Sequence, residues 1–261
     1  MERELKNRTM LPLVSVITPA YNSQQYIEET IASVMSQNYP NWEHIIIDDC
    51  STDATLSVIK KMAQKDSRIQ VVENRKNRGV AATRNKGIAK ARGKYVALLD
   101  GDDLWNRDKL EKQVQIAEDT GASIVYTSYE MIDDKGNKRY DDYMVPKTID
   151  LQGLLEKNVL SCSTTMLRKD VAEKYCFSND FYHEDYALWI QLVKAGYQPV
   201  GITEPLAKYR IHQGSRASNK VKSAYHRWKI YRKLAHCSIP QSNRFLWKYA
   251  TAGMKKYRKK Q

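Results

Sequence analysis

The chain has 261 residues, 42% of them hydrophobic, which is enough to bury a full core as one large or two unequal domains. Its formal net charge of +13 is unevenly placed: residues 206–261 hold 16 Lys and Arg and no Asp or Glu, so the preceding part is slightly acidic. No apolar run reaches the length of a membrane span, and none opens the chain as a secretory leader would; the four scattered cysteines support neither a disulfide framework nor a zinc site, so free thiols in a reducing cytoplasm are expected.

Strand-like and helix-like runs alternate through the first half. Residues 14–18 are apolar and β-branched and predict a strand. Residues 26–37 place Ile27, Ile31, Val34 and Met35 at helical spacing, with Pro40 beyond the end. Residues 44–47 predict a second strand, and 56–62 a helix with Ser51, Thr52 and Asp53 as capping candidates. A third strand follows at 69–72, a helix at 81–91 that Gly93 ends, and a strand at 95–99. Residues 110–118 then predict a helix and 123–126 a fifth strand. This order predicts an α/β fold, a doubly wound and mostly parallel sheet with helices on both faces. Further on, Asp133-Asp134-Lys135-Gly136 predicts a hairpin turn, residues 150–157, 170–175 and 185–195 predict helices, and 199–203 a strand.

The basic tail predicts helices. Val221, Tyr225, Trp228, Tyr231 and Ala235 form one stripe, and a second segment sets Phe245, Leu246, Tyr249, Ala250 and Tyr257 against Lys248, Lys255, Lys256 and Arg258. Such helices suit the headgroup region of an anionic membrane, and the same aromatics equally suit docking on the chain's own core.

The densest chemistry lies directly after the apolar run 95–99, in Asp100-Gly101-Asp102-Asp103. Three carboxylates at the end of a buried strand repel one another, and a hard cation such as Mg2+ or Mn2+ relieves that repulsion. Clefts at the carboxyl ends of strands are also where nucleotides bind in open α/β sheets. The bland alternative is an acidic turn capping the helix that begins near Asp108.

Four segments in order carry a resemblance: Val14-Ser15-Val16-Ile17-Thr18-Pro19-Ala20-Tyr21-Asn22, Ile45-Ile46-Ile47-Asp48-Asp49-Cys50-Ser51-Thr52-Asp53, Gly79-Val80-Ala81-Ala82-Thr83-Arg84-Asn85 and the acidic quartet. Over roughly residues 11–215 the chain resembles a bacterial family 2 glycosyltransferase of the GT-A fold. Cys50 stands where such enzymes usually have Gly. The resemblance implies inverting transfer of a sugar from a nucleotide diphosphate donor, with UDP-sugar preferred. It also divides the chain into an extension (1–10), a nucleotide-binding half (11–130), an acceptor-binding half (131–215) and the tail (216–261).

Residue chemistry agrees with it. Pro19 and Ala20 follow the first strand, and Tyr21 offers an aromatic face to a base. Asp48 or Asp49 suits a uracil N3–H, with Asp49 favoured. Arg84 and Asn85 enter a helix behind a glycine loop, a place suited to a base edge or a phosphate. Within the quartet the resemblance implies Asp100 and Gly101 on the ribose side, Asp102 on the metal and Asp103 as a second ligand. His183-Glu184-Asp185 matches the family's acidic pair at a helix start, with Asp185 as base, Glu184 orienting it, and the helix terminus helping to keep the carboxylate ionised. Trp189, one turn on, suits a core position better than a sugar platform. Tyr209-Arg210-Ile211-His212 resembles the segment closing over the diphosphate, His212 reaching the metal or a phosphate and Arg210 a phosphate. Residues 214–219 suit a lid.

The expected partners are therefore a nucleotide-sugar donor, a saccharide or lipid-linked acceptor and, through the tail, the inner face of the cytoplasmic membrane. Two other enzyme readings rank lower. A sugar-1-phosphate nucleotidyltransferase expects a Gly-rich loop and a lysine where Thr18-Pro19-Ala20-Tyr21-Asn22 stands, and an Asp-nucleophile phosphatase expects a Thr where Asp103 follows Asp102. A nucleic-acid-binding protein would account for the tail but not for the acidic constellations, so no nucleic acid is expected.

Overall fold

The computed structural model describes residues 11–212 and 220–256. In chain order the strands and helices are β1 (Val14–Ala20), α1 (Ile27–Met35), β2 (Trp42–Asp48), α2 (Thr55–Ala63), β3 (Ile69–Glu73), α3 (Val80–Ile88), β4 (Tyr95–Leu98), β5 (Leu104–Trp105), α4 (Lys109–Thr120) and β6 (Ile124–Ile132). They continue with α5 (Leu151–Glu156), β7 (Met166–Arg168), α6 (Lys169–Lys174), α7 (Glu184–Lys194), β8 (Val200–Arg210), α8 (Lys220–Lys233) and α9 (Ile239–Lys256), with a 3-10 turn at Cys162–Thr164. The extension 1–10, the lid segment 214–219, and Tyr257 and Arg258 of the tail lie outside the described residues.

One sheet runs in the order β3-β2-β1-β4-β7-β6-β8-β5. The first four strands are parallel, as the alternation of runs predicts, and the strands of this half bury nearly continuous apolar side chains because helices cover both faces. Past β4 the sheet is mixed. β7 pairs antiparallel with both β4 and β6, while β6 runs parallel to β8 and β5 closes the edge antiparallel.

β6 and β8 are longer than the periodicity predicts. Pro205 donates no ladder hydrogen bond and reads as a strand end, yet register shifts around Ser128 absorb it and pairing resumes through Ile132 and Arg210. Pro19 lies inside β1, opposite Ile47, rather than after it. The hairpin turn is present as antiparallel bridges of Ile132 with Lys138 and Tyr129 with Tyr143. At α2 the N-cap is Ala54, not one of the three candidates, although the Asp53 carboxylate still accepts the Thr55 N–H at 3.0 Å.

The tail docks through only part of the predicted stripe, with Tyr231 and Ala235 on the core. Ile230 and Tyr231 join the main core cluster and Ser223 and Arg227 are buried, while Val221 and Tyr225 are 83% and 63% exposed. The aromatics read as an inner stripe are split because Arg227 and Ser223 lie on the docked side, where they meet α7. Among the described residues no helix is long and apolar enough to cross a membrane.

Gly87 sets how close α3 comes to the sheet. A Cβ there would lie 2.5 Å from the Ile17 side chain and 2.6 Å from that of Ile47. Replacing Gly87 by Ala gains about 1 kcal/mol of helix propensity and loses about 1–3 kcal/mol to overpacking. Urea denaturation is therefore expected to show a lower unfolding midpoint for Gly87→Ala, whereas an exposed helical glycine would show a rise.

Candidate active site

The carboxyl ends of β1, β2 and β4 open into a cleft of about 610 Å3 whose other walls come from the turn before β7, the start of α7 and the end of β8. At one end β1 delivers Pro19, Ala20 and Tyr21, the last 49% exposed. Asp49 lines the cleft beside them. Its Oδ1 accepts from the Asn74 side chain at 2.7 Å and the Arg78 N–H at 2.9 Å, and its Oδ2 from the Gly79 N–H at 2.9 Å. Asp49 thus latches the loop that leads into α3, and Gly79 is required there because its φ is 80°. Asp48 does not line the cleft. Its Oδ2 accepts the Ser51 N–H at 3.1 Å beneath the loop, so the sequence pair splits into one cleft-facing and one loop-holding carboxylate. Cys50 between them and Ser51 has φ 65°, the left-handed region that explains why glycine suits this position.

Arg84 and Asn85 also separate, because adjacent helical residues face about 100° apart. The Asn85 amide donates to the Phe177 carbonyl at 2.8 Å and accepts the Phe177 N–H at 3.0 Å, which places it outside the cleft. Arg84 lines the cleft and is buried. Its guanidinium bridges Asp100 Oδ1 at 2.6 Å and Glu184 Oε1 at 2.7 Å, and these carboxylates keep it firmly charged although burial opposes the charge. Its partners within the protein are thus two carboxylates, both on the cleft wall.

The acidic quartet is divided in the same way. The Asp100 N–H donates to Ser163 Oγ at 3.1 Å, while Gly101 passes close to the Pro19 carbonyl. Asp103 is buried, with Oδ2 accepting from Ser163 Oγ at 2.5 Å and Oδ1 from the Arg210 N–H at 2.8 Å. Burial and the charges of Asp102 and Asp100 push its carboxyl well up. Both of its oxygens tie the quartet to the turn before β7 and to β8, at a place that still lines the cleft.

Asp102 remains on the cleft wall, with its Oδ2 2.9 Å from His212 Nε2. That hydrogen bond raises the imidazole pKa. Among the described residues there is no group of three or more His, Cys, Asp or Glu side chains placed to hold a metal ion. The carboxylate and imidazole that meet here are donors of the kind that suit a divalent cation, and Asp102 and His212 are the residues that would hold one.

Arg210, expected on a phosphate, lines the cleft and is held by several protein partners. It donates through Nε to the Asp102 carbonyl at 2.8 Å, through Nη1 to the Asp133 and Asp134 carbonyls, and through Nη2 to Glu29 at 2.8 Å, and it lies over the Tyr26 ring. Its work is to clip β8 and the hairpin onto the quartet.

The far end holds Glu184 and Asp185 in the first turn of α7. The Tyr186 N–H donates to Asp185 Oδ1 at 2.7 Å. Burial and the neighbouring Glu184 charge raise the Asp185 carboxyl to about 6, so these effects outweigh the helix terminus that was expected to favour ionisation. Trp189 is fully buried against Phe177 and belongs to the core. Ser161, Cys162, Asn77 and Tyr182 also line the cleft and carry no motif. Ser161 and Cys162 arrive through the antiparallel insertion of β7 between β4 and β6, for which no local pattern exists.

Residues 15–176 match the sequence profile of Glycosyl transferase family 2. The chain belongs to that family. The provisionally named teichuronic acid biosynthesis glycosyltransferase TuaG of Bacillus subtilis is 37% identical over 245 residues, which cover 94% of this chain and 97% of the relative. The Escherichia coli enzyme WfgD, named UDP-Glc:alpha-D-GlcNAc-diphosphoundecaprenol beta-1,3-glucosyltransferase, is 32% identical over 247 residues, covering 94% of this chain and 95% of the relative. Among solved structures, Staphylococcus aureus TarS 1-349 in complex with UDP-GlcNAc superposes with a TM-score of 0.71 at 20% identity, over 93% of this glycosyltransferase and 72% of that chain. The fold is GT-A, as the motifs imply.

Arg84→Met removes the cation that Asp100 and the buried Glu184 share. Arg84→Met is expected to lower the unfolding free energy by about 3 kcal/mol at pH 7. Urea denaturation at pH 7 checks it.

Proposed function

We propose that this glycosyltransferase moves a sugar from a UDP-sugar to a hydroxyl of a lipid-linked saccharide in cell-surface polysaccharide assembly, by one inverting displacement assisted by Mn2+ or Mg2+. The observation that carries this reading is the meeting of a donor-side acidic turn and an acceptor-side acidic pair across one cleft, bridged by Arg84. The names of WfgD and TuaG support the donor and the surface-polysaccharide setting.

In this reading Tyr21, Pro19, Ala20 and Asp49 accommodate the nucleoside and Asp100 with Gly101 the ribose. Asp102 and His212 hold the cation. Bound there, a divalent cation neutralises charge on the departing diphosphate. Asp185 accepts the acceptor hydroxyl proton as the new oxygen–carbon bond forms and the anomeric bond to UDP breaks, and Glu184 orients it. A carboxyl raised to about 6 remains mostly ionised at neutral pH while being more basic than an ordinary aspartate.

The tail's outward face supports a station on the inner face of the cytoplasmic membrane. Val221, Tyr225, Ile239 and Trp247 are exposed there among Lys222, Lys233 and Arg244, and the Trp228 indole N–H donates to Asn243 Oδ1 at 3.1 Å, joining the α8 and α9 faces. Such a surface, free of carboxylates, matches an anionic bilayer.

Three measurements test these parts separately. Calorimetry with UDP, GDP, dTDP and CDP, with and without Mn2+, is expected to show metal-dependent UDP binding that Asp102→Ala abolishes and Asp185→Asn keeps. Turnover of a UDP-sugar panel onto a synthetic GlcNAc-diphospholipid is expected to be lost in Asp185→Asn, and normal turnover there removes the base assignment. Sedimentation with phosphatidylglycerol vesicles is expected to carry down the wild type but not Tyr225→Ser/Trp247→Ser, and equal partitioning of the two removes the membrane assignment.

A further inference from the structure

Arg227 is a buried cation for which no carboxylate partner exists among the described residues. Its guanidinium lies 3.9 Å from the Tyr186 ring centroid, 4.2 Å from Tyr249 and 5.9 Å from Tyr231. Nε donates to the Tyr231 hydroxyl at 2.8 Å, while Nη2 has no partner. The Tyr186 and Tyr231 hydroxyls in turn donate to the Leu154 and Leu155 carbonyls at the end of α5. Burying a charge costs several kcal/mol by order of magnitude unless it is compensated, and an apolar side chain of similar volume would pack the same space without that cost. Here the compensation is three aromatic faces and one hydroxyl.

What the cation holds is informative. Tyr186 directly follows Asp185, and its N–H is the hydrogen bond on the Asp185 carboxylate. The same tail helix touches the residues just before the acidic pair: His226 stacks on Tyr182 at 5.0 Å and Lys222 lies over that ring, while burial and the Arg227 charge depress the His183 pKa to about 4. Arg84 fixes Glu184 from the donor side, and Arg227 fixes Tyr186 from the tail side.

We propose that Arg227 is a positioning residue for transfer: by clamping the Tyr186 ring it sets the first turn of α7, and with it the direction of the Asp185 carboxylate. The inner face of the tail thereby belongs to the active site, whatever its outer face contacts. This rests on the reading of Asp185 as the base.

The test uses the full chain carrying Arg227→Met, which keeps volume without charge, and Arg227→Lys, which keeps a cation in the cage. UDP release from the UDP-sugar that turns over in the panel gives kcat, and calorimetry with UDP and Mn2+ gives donor affinity. Arg227→Met is expected to lower kcat about tenfold or more, since small misplacements of reacting groups are that costly. UDP affinity is expected to stay within about twofold, separating positioning from general loss of structure. Arg227→Lys is expected to recover most of kcat, and in an Asp185→Asn background Arg227→Met is expected to add no further loss. Unchanged kcat in Arg227→Met, or UDP affinity lost in step with kcat, overturns the inference. If Arg227→Met does not fold, Tyr231→Phe, which removes the hydroxyl on Nε, is read by the same criteria. Normal turnover by Asp185→Asn alone instead overturns the base reading beneath it.

Discussion

The Arg84 guanidinium is the constraint on which the cleft depends. It sits on a helix pressed against the sheet by Gly87 and entered through a loop that Asp49 latches, and it joins a carboxylate on the turn after β4 to one on α7. These partners are 16 and 100 residues away in sequence, so the bridge forms only when the parallel half and the later half of the chain are assembled together. Once formed it is costly to break, because removing one partner from a buried pair strands the other's charge.

Around that bridge, burial sorts carboxylates that the sequence presents as equivalents. Asp49 faces the cleft and Asp48 lies beneath the loop; Asp103 is drawn inward by Ser163 and Arg210 while Asp102 stays beside His212. The surroundings of neighbouring acidic residues are thus unequal: Asp103 is hydrogen-bonded to protein on both oxygens, and Asp102 meets the His212 ring. The arginines follow the same logic. Arg210 has most of its N–H groups on backbone carbonyls and Glu29, and Arg227 lies against three tyrosine rings with one N–H on the Tyr231 hydroxyl.

Much of this was legible in advance where the signal is local. Apolar runs bounded by turn residues located β1, β2, β3 and β4, and the residues at their carboxyl ends had to line a common rim because parallel strands share a direction. The helical period located α1 through α4 and α7 within a few residues. Legibility fails where a partner is distant. Nothing in residues 161–165 announces that β7 will enter antiparallel beside β4 and bring Ser161, Cys162 and Ser163 to the quartet. Nothing in the aromatic stripe of α8 tells which side the protein will cover.

The sequence by itself determined the fold class, the glycosyltransferase family and the set of acidic residues, because periodicity and strand-end motifs are properties of contiguous segments. Only the tertiary structure decided which member of each pair does what: that Arg84 holds carboxylates, that Asn85 clamps Phe177, that Asp103 is a tether and that the tail braces α7. Those assignments depend on burial and on hydrogen-bond partners supplied from far along the chain. Both come into being only when the segments pack.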